Sequence, residues 1–315
     1  MTRPSSALLA LSLLAAVLAA STSLAGMFWP GAYARETSAW ALQGVAQDAA
    51  NLPLALALVW SATRLRGRGS LAALSIWLGC LAYFIYAFAI YAFGVHFGAL
   101  FLAYVAVLGL AFYAFVGTLA GLDVAVATAP LRDRPSWAGA SVLLFATGVL
   151  FAALWLAEDV PHVLRNAPPP SLAETGLPTN PVHVLDLAFV LPAMIVTAVL
   201  LRRQRPLGLL LAPVLLVFAV AMGVAILAMF TYYAKRHLPV PMPAVVVVAA
   251  IVILSAVSAW RLWRGTASNA RVVLRGLLRA GPVPELGLSR WRLQAASFER
   301  WRRALGKRRV GTSSR

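Results

Sequence analysis

The chain has 315 residues, 61% of them hydrophobic and 12% charged, with a formal net charge of +17. A soluble domain carries about 25% charged residues. Here apolar runs of about 20 residues, the length that spans a bilayer, recur from end to end. This excludes a soluble enzyme on a single anchor and points to an all-α fold, a polytopic transmembrane helix bundle. The single cysteine, Cys80, excludes an intrachain disulfide and a Cys-based zinc site.

In chain order the apolar pattern predicts eight spans, at about 7–27, 44–63, 70–93, 98–121, 138–157, 182–201, 207–233 and 242–261. The first has a rival reading as a cleaved signal peptide over residues 1–25, with Arg3 in front and Ser23 and Ala25 as small residues at its end. Spans three and four are separated only by "GVHFG", 94–98, read as a tight turn. "RLRGRG", "LRDRPS" and "RRQRP" are clearer breaks, interrupting the apolar pattern with charge and turn formers. Residues 1–261 thus form the bundle and 262–315 a basic tail.

Orientation follows the bias of Lys and Arg toward cytoplasmic segments. With the N-terminus inside, only Arg35, Arg165, Lys235 and Arg236 of the 27 basic residues lie outside. Glu36, Asp48, Glu158, Asp159, Glu174 and Asp186 lie outside, as do all four histidines, His96, His162, His183 and His237. Trp60, Trp137, Trp155 and Trp260 fall at span ends, where an aromatic belt belongs. The C-terminus is then cytoplasmic.

Two regions suggest an internal repeat. "QDAANLP" opens span two and "VLDLAFVLP" span six. Asp186 follows Asp48 by 138 residues, and each is followed by a proline, Pro53 or Pro192, near the outer end of its span. Two four-span halves, parallel because four is even, would produce this pattern.

Ionisable groups within spans need partners or water. Gln47, Asp48 and Asn51 make a polar face on span two. Asn180 reads as a helix cap before Pro181, and His183 and Asp186 then share one face. Pro53 and Pro192 each leave a carbonyl without its helical partner, that of Ala49 or Ala188. Tyr83 and Tyr86 lie deeper than an interfacial belt, so their hydroxyls require acceptors. With Glu158 these residues compose a candidate outer-facing polar pocket between spans two, three, five and six. The bland alternative is a solvated surface with interfacial histidines and packed aromatics.

The tail places Arg271, Arg275 and Arg279 four apart, with Ala270, Val273, Leu274, Leu277 and Leu278 opposite. That is the pattern of a basic helix on a membrane surface, drawn to anionic lipid. Nothing in it reads as a nucleic-acid motif.

"QDAANLP", "YFIYAFAIYAFGVHFGALFLAY" and "GLPTNPVHVLDLAFVLPA" together resemble an uncharacterised group of bacterial multi-pass integral membrane proteins. The likeness covers about residues 25–235 and leaves out the basic tail. It implies residence in the bacterial inner (cytoplasmic) membrane. The group has no established activity, so the resemblance assigns no catalytic role. No Walker loop, dinucleotide fingerprint, G-x-S-x-G or paired haem histidines occur, so no cofactor and no bound metal is expected. The expected function is a non-enzymatic sensor or assembly factor. The alternatives are a small-solute or proton-coupled transporter, favoured by proline-broken helices, and a metal-dependent membrane enzyme, favoured by the loose set of His and Asp.

Overall fold

A computed structural model describes residues 5–67, 70–131 and 137–264. Among these residues the structure is helical, with no strand. The long helices are α1 (Ser6–Phe28), α2 (Ser38–Gly67), α3 (Leu71–Gly94), α4 (Phe101–Ala120), α6 (Trp137–Leu164), α10 (Pro206–Lys235) and α11 (Met242–Trp263). Span six is compound: α8 (Pro181–Leu185), a π-helical turn (Asp186–Val190) and α9 (Leu191–Arg202). Two short helices, α5 (Val124–Thr128) and α7 (Pro170–Thr175), lie in connections.

Seven of these helical stretches are long and apolar enough to cross a membrane. The eighth, α2, has 30 residues but carries Gln43, Gln47, Asp48 and Asn51. Their cost is met inward: Asp48 and Asn51 are buried, while Leu56 and Trp60 on the same helix are exposed. Charge inside the bundle rather than against lipid is the expected solution.

The eight helices form two rings of four. In the first, α1 packs on α2, α2 on α3, α3 on α4, and α4 returns to α1. In the second, α6 packs on α9, α9 on α10, α10 on α11, and α11 returns to α6. The rings meet where α10 packs along α2 and α3. Gly79 permits that approach: a Cβ there would stand 2.5 Å from Val217 Cγ1 and 3.0 Å from the Val214 carbonyl. Both rings follow chain order.

Three sequence expectations change. The α6 helix runs about two turns beyond 157, through Pro161, so residues 158–164 are helix rather than loop. The "GVHFG" segment is not a lone tight turn. Its connection, 95–100, is fastened to the α1–α2 connection, where Glu36 accepts from the His96 N–H at 2.8 Å and Arg35 donates to the Phe97 carbonyl at 2.9 Å. The belt is only half realised. Trp60 and Trp260 are exposed, each beneath an arginine, Arg64 or Arg264, but Trp137 is buried and Trp155 turns into the bundle. The expected tail helix, with Arg271, Arg275 and Arg279, lies outside the described residues.

Candidate functional site: a half-depth cavity beside two carboxylates

A cavity of about 540 Å³ opens between α2, α3, α6, span six, α10 and α11, with α7 at its mouth. It occupies one half of the bundle. Its walls are the N-terminal parts of α2 (Trp40 to Gln47), span six (Val182 to Met194) and α11 (Ala244 to Ile251). Opposite run the C-terminal parts of α3 (Tyr86 to Val95), α6 (Thr147 to Glu158) and α10 (Phe218 to Phe230). The other half is solid. Leu58, Leu74, Trp77, Leu78, Leu201 and Leu210 are all fully buried there. The volume falls within the roughly 300–1,000 Å³ range of small-molecule sites.

The local sequence of span six builds one wall. Asn180 caps it, its Oδ1 accepting from the Val182 N–H at 3.0 Å, and Pro181 occupies the first turn. The chain then widens, and the Leu191 N–H reaches back to the Asp186 carbonyl. Pro192, which has no N–H, stands two residues after this π-helical turn. The helix thus widens where the proline was expected to leave a carbonyl unbonded. Such turns are frequent at functional sites.

Asp186, at the start of the turn, accepts from Trp155 Nε1 at 2.8 Å. The Trp155 ring stacks on His183, centroids 4.3 Å apart at 27°. His183 Nδ1 meets the Asp159 carboxylate at 3.0 Å. The order is carboxylate, indole, imidazole, carboxylate, alternating between span six and α6. Asp186, Trp155 and His183 line the cavity, with Glu158, whose carboxylate accepts from the Ser171 hydroxyl.

The second carboxylate is enclosed. Asp48 accepts from the Tyr33 hydroxyl at 2.7 Å and the Tyr91 hydroxyl at 3.0 Å. Next to it, Tyr83 donates to Asn51 Oδ1 at 2.8 Å, Gln47 bonds the Tyr83 hydroxyl, and Asn51 donates to Ser23 of α1 at 3.0 Å. A bare glycine makes room for the acid: a Cβ on Gly26 would lie 1.8 Å from Asp48 Oδ2. Tyr33 sits in the α1–α2 connection, where burial first, and the Asp48 charge second, push its phenol well above the usual tyrosine range.

The predicted pocket residues therefore divide. Gln47, Tyr86, Glu158, Asn180, His183 and Asp186 line one cavity. Asp48, Asn51 and Tyr83 do not; they form a network behind its wall, where Tyr33 and Tyr91, themselves lining residues, stand between Asp48 and the cavity. The sequence pattern assigns no role to Tyr33, Trp40, Tyr91 or Gly26, and places Trp155 in the belt. No spacing signal could pair Tyr33 with Asp48 or Asp159 with His183, since each contact joins different segments. Among the described residues no three His, Cys, Asp or Glu side chains are placed to hold one metal ion. His96 pairs with Glu36, and His162 Nδ1 lies 2.7 Å from the Glu158 carbonyl of its own helix.

Compared with family models, curated proteins and solved structures, the chain finds no match.

Proposed function

We propose that this is a non-enzymatic, ligand-binding membrane protein of the sensor or assembly-factor class, whose cavity receives a small amphiphile. The observation that carries the reading is the cavity's construction. It is mostly apolar, its lining stops at Thr147, Met194, Phe218 and Ile251 about halfway along the helices, and the residues beyond, among them Leu74, Trp77 and Leu210, are fully buried. A dead-ended site with an adaptable wall of Met194, Met222 and Met229 suits binding better than passage. The charge bias of the sequence orients the mouth to the outer face of a bacterial cytoplasmic membrane, with the C-terminus and its lipid-attracted tail inside.

The test is native mass spectrometry of protein extracted in a bulky non-ionic detergent, offered a 12-carbon alcohol. Wild type should retain about one equivalent, and Ala225→Phe, which fills the cavity from α10, should retain none. Equal retention by both proteins would remove the reading.

One observation favours transport as a second reading: the paired four-helix rings with a π-helical turn in span six. Transport needs a second conformation that opens the packed half. Ligand counterflow in proteoliposomes distinguishes the two.

A further inference from the structure

We propose, resting on the binding role above, that the ligand's head group is a protonated amine held at Asp186, with its apolar body pointing toward Met194 and Phe218. Charge selects the sign. Glu158, Glu174 and Asp186 line the cavity, and no Lys or Arg does so among the described residues. In a chain of net charge +17 this is a local negative site with low-dielectric walls, which focuses its field on a cation.

A buried hydroxyl beside the carboxylate helps to place the head. The Tyr86 hydroxyl lies on the cavity wall, turned toward Asp186 but with no partner at ordinary hydrogen-bond distance. A protonated amine between them donates one N–H to the phenol oxygen and another to the carboxylate. Trp155, fixed by its bond to Asp186, lines the same cavity beside the carboxylate.

Chemistry also selects an organic cation over a metal ion. His183 is committed to Asp159, and no cluster of three metal-binding side chains forms among the described residues. The apolar lining includes Met194, Phe218, Ala219 and Met222, which suit alkyl or aryl groups. From Phe218 to Phe230 the cavity follows about 18 Å of α10, at 1.5 Å per residue. That length accommodates a chain as well as a head.

Purified full-length protein tests this with three probes of equal chain length at pH 7: dodecylammonium, dodecan-1-ol and dodecanoate. Competition is read by native mass spectrometry, with Ala225→Phe as the background for micelle partition. Dodecylammonium should bind about ten-fold or more tighter than the alcohol, with dodecanoate weakest. Asp186→Asn should reduce the amine preference to about three-fold or less. If that variant fails to fold, Glu158→Gln with Glu174→Gln carries the test and should reduce the preference in the same direction. Equal binding of the three probes, or a preference unchanged in these variants, overturns the amine proposal while leaving the cavity as a binding site. No probe binding above the Ala225→Phe background would sink the binding role itself.

Discussion

Gly26→Ala is the smallest change that reaches the buried carboxylate. The new Cβ would lie 1.8 Å from Asp48 Oδ2, 2.8 Å from its Cγ and 3.0 Å from the Tyr33 hydroxyl. Restoring an ordinary contact near 3.4 Å requires the carboxylate or the α1 backbone to retreat by about 1.6 Å. The Tyr33 bond of 2.7 Å and the Tyr91 bond of 3.0 Å cannot both survive that displacement. Losing hydrogen bonds to a buried carboxyl group costs about 1–3 kcal/mol each. Overpacking adds about 1–3 kcal/mol, and alanine's better helix propensity returns up to about 1 kcal/mol. The expected net loss is about 3 kcal/mol. Gly109→Ala is the control, because nothing lies within 4 Å of a Cβ there, and it should be neutral or stabilising by up to about 1 kcal/mol. Denaturation of both variants in mixed micelles, followed by tryptophan fluorescence, gives the comparison. A Gly26→Ala protein within about 0.5 kcal/mol of wild type would refute the argument, since surface-like substitutions fall in that range.

Other expectations are equally direct. Trp155→Phe keeps a ring against His183 but removes the Nε1 donor from Asp186, and should cost about 1–3 kcal/mol in the same assay. Tyr33 binds its proton more tightly folded than unfolded, so its contribution is intact below the unfolded value near pH 10 and falls as pH rises above it. Tyr33→Phe should therefore lose less stability than wild type between about pH 10 and 11.5, read from denaturation midpoints. Reporter fusions after Gly69 and after Thr175 should report inside and outside respectively, and the reverse pattern would invert the orientation. Deleting residues 1–25 removes Ser23 and opens the first ring. The remaining protein should be markedly less resistant to proteolysis, and unchanged resistance would show that α1 is dispensable.

The fold was legible because its determinants are local. Most apolar runs end at Arg, Pro or Gly, and the predicted span limits lie within a few residues of most helix ends, such as 242–261 against Met242–Trp263. Two boundaries departed for physical reasons. At α6 the helix continues through Glu158, Asp159 and His162, because helix geometry does not require apolarity once the chain leaves lipid. At α2 the hydropathy signal is weak because polar side chains are buried against α1 and α3 rather than facing lipid. The site was half legible. Asn180, His183 and Asp186 announce themselves by a cap, a proline and charge at the start of a span. The tyrosines around Asp48 do not, because aromatic residues in spans look alike whether they pack or donate. The widened turn at Asp186 was also hidden: Pro192 marks a disturbed helix, but only packing decides between a kink and a π-helical turn.

The most direct measurement of the central claim is photolabelling with a 12-carbon amine bearing a diazirine near its tail, followed by peptide mapping. The account predicts saturable labelling on α10 between Phe218 and Phe230 and on Met194, abolished by Ala225→Phe. Labels confined to lipid-facing side chains such as Leu102 and Val246, unchanged in that variant, would contradict it.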